Sequence, residues 1–173
     1  DHLSRSRGSN AAEWDILFIG GSQATTHTEE WERRYEELVG NLVRACDENN
    51  WSLAIKLHPI ESSDWYREHG WENYIVEFES MKEALNSADI AVTHFSSAFV
   101  ESIATETPII LSEVWSYGLN EVRPIEGGSF IDDDLEGEIK RIRQSNRDVD
   151  DIVENTRLLD IGQSVNDILN VVS

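Results

Sequence analysis

Two short polar segments, far apart in this chain, share one kind of chemistry. The first is "IKLHP", which brings Lys56, His58 and Pro59; the second is "THFSSAF", which brings Ser96 and Ser97. An imidazole at the end of a strand can donate to a phosphate oxygen, or protonate a leaving group near neutral pH. Two serines opening a helix, with free amides behind them, make an anion cradle. Gly20-Gly21-Ser22 is a third segment, where a backbone without side chains could approach a phosphate. Each segment also has a plain structural reading. A strand-end histidine can be satisfied by a carbonyl, a serine can simply cap its helix, and paired glycines can simply make a tight turn.

Lys56 stands two residues before His58, so on an extended strand the two share a face. It reads equally as a snorkelling or ion-paired lysine. Glu101, four residues after Ser97, could accept from ribose hydroxyls or favour the dipole of its own helix. His27 and His94 are further candidates for the same site, while His2 and His69 read as surface residues.

The elements that would position these groups follow from apolar periodicity. Residues 1 to 13 read as a linker or tail, and 14 to 173 as one domain. "WDILFIGG" is a strand, and Trp31, Tyr35, Leu38, Leu42 and Cys46 recur at helical spacing, so a helix runs to about Asn49. Thr26 and Thr28 are rival caps for it. "WSLAIKL", "NYIVEF", "DIAVTHFSS" and "TPIILSE" read as further strands. Ser80 with Glu83 caps a short helix over "SMKEALNSA", and Ala98, Val100, Ile103 and Ala104 give another helical face. "VWSYGLNEVRPIEGG" reads as a long loop, followed by the short segment "SFI". Helices are expected from about Asp134 to Gln144, Val149 to Leu158 and Gln163 to Val172. Alternation of this kind predicts an α/β fold: a Rossmann-like parallel sheet of five to six strands with helices on both faces. Ligands of such sheets bind beyond the carboxyl ends of the strands, near the switch in strand order. The three polar segments all fall at that edge.

Composition sets limits on the partner. The 173 residues carry 34 acids against 14 bases, a formal net charge of −20, and only three of the bases are lysines. An acidic surface poor in lysine resembles proteins of salt-loving organisms, where salt screens self-repulsion. It argues against nucleic acid as partner, which needs a basic face. The lone Cys46 reads as a core residue and allows no internal disulfide, so a cytoplasmic setting is expected. No histidine or cysteine spacing suggests a metal site, and GxGxxG, GxxxxGK[ST] and GxSxG are absent.

The two main motifs together, "IKLHP" and "SADIAVTHFSSAFVESIATETPIIL", resemble the carboxy-terminal half of GT-B glycosyltransferases. The likeness is to the group with CDP-glycerol glycerophosphotransferases, capsule transferases and bacterial sialyltransferases, which carry HP and SS motifs. His58-Pro59, Ala88-Asp89, Thr93, Ser96-Ser97, Glu101 and Pro108 match that pattern, and "LLDIGQSVNDIL" resembles the tail of such domains. The pattern's usual aspartate is His94 here, and its glycine before the last proline is Thr107. The resemblance implies that His58, Ser96 and Ser97 hold the phosphate of a CDP-, CMP- or UDP-linked donor, and Gly21, Ser22 and Lys56, candidates on the residues alone, join Glu101 in the expected binding site. His58 would assist the leaving group, and Glu101 would meet the ribose. It implies no permanently bound cofactor and no metal, and a role in surface-polysaccharide synthesis, cytoplasmic or peripheral at the inner face of the membrane. It also implies a missing amino-terminal GT-B domain, in the same or another chain, without which the fragment is inactive; the first residue, Asp1, fits a piece of something larger. The rivals are a UDP-N-acetylglucosamine 2-epimerase-like enzyme, a non-catalytic binding module with the same fold, and, more remotely, a flavodoxin-like or receiver-like domain.

Overall fold

Strand and helix alternate in the computed structural model, which describes residues 12–21, 29–94, 98–112, 129–131 and 134–144. The order is β1 (Trp14–Ile19), α1 (Glu29–Asn49), β2 (Leu53–Lys56), α2 (Ser63–Glu68), a 3-10 turn (Glu72–Tyr74), α3 (Met81–Asn86) and β3 (Ala88–His94). It continues with α4 (Ala98–Thr105), β4 (Ile109–Ser112), β5 (Ser129–Ile131) and α5 (Leu135–Gln144). All five strands are parallel, in the order β2-β1-β3-β4-β5. The helices expected after residue 148, the threonine caps before α1 and the long loop lie outside the described residues.

Side-chain alternation splits the core in two. Ile16, Phe18, Leu53, Ile55, Ile90, Val92 and Ile110 meet Tyr35, Leu42 and Cys46 of α1, Tyr66 of α2 and Ile139 of α5. Leu17, Ile19, Ala54, Ala91, Ile109 and Leu111 point the other way, onto Ala84 and Leu85 of α3 and Ala98 of α4. Both faces of the sheet are therefore covered, which is why its strands read as continuous apolar runs. Cys46 is a core residue, its thiol pushed up to about 12 by burial and by the nearby Asp47 and Asp15 charges. An inert thiol follows.

One expected strand is absent. "NYIVEF" begins as the 3-10 turn and then makes a single parallel bridge, Ile75 to Ile55, with the Val76 amide donating to the Ile55 carbonyl at 3.0 Å. Its apolar residues clasp the edge of β2 instead: Tyr74 and Ile75 pack on one core, Val76 and Phe78 on the other. The alternating pattern encodes two-sided packing there, and no ladder. The fifth strand is the three-residue segment "SFI", paired with β4.

Local signals mark the helix ends. Ser80 accepts from the Glu83 amide and caps α3. At the end of α1, Asn50 takes a left-handed conformation, and the Trp51 amide returns to the Cys46 carbonyl at 2.9 Å. The end of α4 repeats this with Glu106 at φ 55°, and the Thr107 amide reaches the Ser102 carbonyl at 3.0 Å. The position suited to glycine is therefore Glu106, one residue before Thr107. A side chain there strains the backbone, so Glu106→Gly is expected to raise stability by about 0.5–1 kcal/mol in urea unfolding. Thr107 has its own task, donating its hydroxyl to the Leu85 carbonyl at 2.9 Å and tying α4 to α3.

At the amino-terminal edge of the sheet, Asp15 accepts from the Ser52 amide and hydroxyl and pairs with Arg143 at 2.7 Å. Arg143 also lies over the Trp51 ring, so α5 is held to the start of β1. Among the described residues no helix is long and apolar enough to cross a membrane.

Candidate functional site

The carboxyl ends of the strands form one row. Ile19 is level with Lys56 on one side and Thr93 on the other, and His94 is level with Ser112. From β1 the chain moves outward to β2, then returns to place β3 on the other flank of β1. The strand order therefore switches between β1 and β3, the position where open α/β sheets bind ligands. Gly20 and Gly21 follow β1, His58 follows β2, and α4 begins a few residues beyond β3. With neighbouring strands about 4.8 Å apart, the ends of β2 and β3 stand about 10 Å apart, with Gly20 and Gly21 following the strand between them. Thr93, fully buried, donates to the Ile19 carbonyl at 3.1 Å and closes the β1/β3 pair at this edge.

His58 lies in a tight turn and not on the strand. The Glu61 amide donates to the His58 carbonyl at 2.9 Å, and the Ile60 amide lies 3.4 Å from His58 Nδ1. An accepting Nδ1 leaves Nε2 as the protonated nitrogen of the neutral ring. β2 stops at Lys56, so strand alternation does not carry His58 onto the lysine's face. Lys56 itself follows Ala54 on the α3/α4 face, is partly buried and has no ion pair among the described residues. Glu101 is exposed in the first turn of α4, and the backbone of His94 ends β3. Ser22, His27, Ser96 and Ser97 lie outside the described residues, as does His2.

His69 is not a free surface residue. Its ring lies 4.4 Å from Trp65 and 4.8 Å from Trp71 between centroids, with Nδ1 2.7 Å from the Trp65 carbonyl and Nε2 3.6 Å from Glu36. An imidazole one helical turn after Trp65 packs back on it, so this histidine braces α2 against α1.

The group that sequence reasoning missed is Glu61. Tyr35 and Tyr66 hydroxyls each donate to its Oε1 at 2.8 Å, and the His58 amide donates to Oε2 at 3.0 Å. The two phenol oxygens are themselves 2.9 Å apart. Burial raises the Glu61 carboxyl above its ordinary value, and the hydrogen bonds from His58 and the two tyrosines offset part of that. Burial pushes both phenols up as well. Oε2 presses against Gly20, where a Cβ would come within 2.0 Å of it. The Gly20 amide donates to the Lys56 carbonyl at 2.9 Å, and the Gly21 amide to the Tyr35 hydroxyl. Both glycine amides are thus used within the protein, and Gly20 is a glycine because a carboxylate oxygen fills the space beside it. The available signal was a glutamate two residues after a His-Pro pair, with two tyrosines on otherwise apolar helix faces.

What the arrangement offers chemically is a rim on which His58, after β2, and the amino-terminal end of α4, after β3, flank the two buried glycines that follow β1. The half-buried carboxyl group of Glu61 lies against Gly20. No family model matches the chain, and no curated protein matches it.

Proposed function

We propose that this domain binds the nucleotide part of a CDP-, CMP- or UDP-linked donor, as the donor half of a GT-B glycosyltransferase or glycerophosphotransferase. The observation that carries the reading is the row of carboxyl strand ends, with His58 and the start of α4 flanking the glycines that follow β1 at the switch point. His58 Nε2 would donate to the donor phosphates and then to the leaving group. Ser96 and Ser97 with the first amides of α4 would meet the charge developing there. Glu101, exposed on the first turn of α4, is suited to ribose hydroxyls. Lys56 would lower the cost of bringing an anion to a chain of net charge −20. An acceptor domain, in this chain or another, is needed for transfer, with surface polysaccharide as the acceptor class and the cytoplasmic side of the membrane as the place.

The test is titration calorimetry with CDP-glycerol, CMP and UDP-N-acetylglucosamine in molar salt. Saturable heat that Ser97→Ala weakens is expected; a folded sample giving no heat with any of the three would reject the reading. A uridine preference, with sugar interconversion by a longer form, would favour the epimerase-like enzyme. One observation favours a binding module without catalysis: the amides of Gly20 and Gly21 are both engaged internally, which leaves fewer donors for a transition state.

A further inference from the structure

Oε1 of Glu61, the Tyr35 hydroxyl oxygen and the Tyr66 hydroxyl oxygen form a triangle with edges of 2.8, 2.8 and 2.9 Å. Each edge is a hydrogen-bond distance, so three hydrogens are needed to fill it. The two phenols bring one hydrogen each. With an ionised carboxylate both point at Oε1, and the contact between the phenols is left without one. A proton on Glu61 completes the ring: the carboxyl donates to one tyrosine, that tyrosine to the other, and the second tyrosine back to Oε1.

The surroundings favour the same state. The groups facing the carboxyl are Tyr35 from α1, Tyr66 from α2, the His58 amide and ring from the turn after β2, and the backbone of Gly20 from the end of β1. Neither lysine nor arginine pairs with it among the described residues. Oε2 occupies the place a Gly20 side chain would take, immediately under the proposed anion rim. A second negative charge brought beside this carboxyl disfavours its ionised form.

We propose that Glu61 is the positioning residue of this rim, and that an anion binds there together with one proton taken from solution onto its carboxyl group. The inference rests on the anion-binding reading above. It assigns that site a proton linkage: affinity falls as pH rises. The sign follows from the bound state holding one proton more than the free state, so wherever free Glu61 is ionised the association constant drops about tenfold per pH unit.

The experiment uses CDP-glycerol and UDP-N-acetylglucosamine, pyrophosphate diesters with no phosphate proton of their own to exchange near neutrality. Calorimetry in two buffers of different ionisation enthalpy, at pH 6 and pH 8, counts the protons. Uptake approaching one proton at pH 8 and a smaller uptake at pH 6 are expected. Glu61→Gln is expected to bind with no proton uptake and a flat pH profile, and more tightly than the unaltered chain at pH 8. As a check that needs no substitution, the Glu61 carboxyl carbon should shift toward its protonated position in NMR spectra when CDP-glycerol is added at pH 8. Binding with the same heat in both buffers, or uptake that persists in Glu61→Gln, overturns this inference and leaves the anion reading standing. No binding by either probe overturns both.

Discussion

Gly20→Ala is expected to lower the stability of the domain by about 2–4 kcal/mol in urea unfolding. The added methyl would lie 2.0 Å from Glu61 Oε2. A free glutamate would swing aside at little cost, but this one is held by the His58 amide and by two buried phenols. Moving it leaves those three donors without their acceptor, and each buried unpaired donor costs about 1–3 kcal/mol. The effect should be coupled to the acid. In Gly20→Ala/Glu61→Ala the methyl enters space the carboxylate has vacated, so the double variant should be less destabilised than the sum of the singles by about 1–2 kcal/mol. Strict additivity would show that the carboxylate does not fill that space.

The second large effect concerns ligand and not stability. His58→Ala is expected to weaken CDP-glycerol binding about 10–150-fold, the range for one hydrogen bond to a charged group of about 1.5–3 kcal/mol. Folding should scarcely notice. Among the described residues the ring's one hydrogen bond is the 3.4 Å contact with the Ile60 amide, at an exposed turn. A shift in urea midpoint of the same size as the affinity loss would make His58 a structural residue of the turn. Equal affinity in the variant would remove it from the site.

Much of the scaffold was legible because burial and periodicity coincide in it. β1, β2, β3 and β4 are covered on both faces and so appear as unbroken apolar runs, and the stripe from Trp31 to Cys46 marks α1 without ambiguity. "NYIVEF" shows where that reasoning stops. Alternating apolar residues at a sheet edge can pack on two cores without completing a ladder, and only the neighbouring chain decides which. Glu106 shows the same limit at one residue: a left-handed helix end is set by the Thr107–Ser102 hydrogen bond, and the sequence carried a charged residue where glycine would have announced it.

The candidate site was legible only as single residues. His58 after β2 and the glycines after β1 follow from counting strands, and the register brings them to one edge. Glu61 was invisible because its role depends on Tyr35, which is 26 residues away in sequence, and on a glycine whose missing side chain makes room for it. The periodicity that marks Tyr35 as a core residue says nothing of its hydroxyl. Polar pairings that cross three elements leave no pattern along the chain.

The most direct measurement is amide chemical-shift mapping of the isotope-labelled domain titrated with CDP-glycerol in molar salt. The rim account predicts that Gly20, Gly21, His58 and the first residues of α4, from Ala98 to Glu101, move together with one dissociation constant. Shifts confined to a single element, or clustered at the opposite edge around Asp15, Ser52 and Arg143, would contradict it.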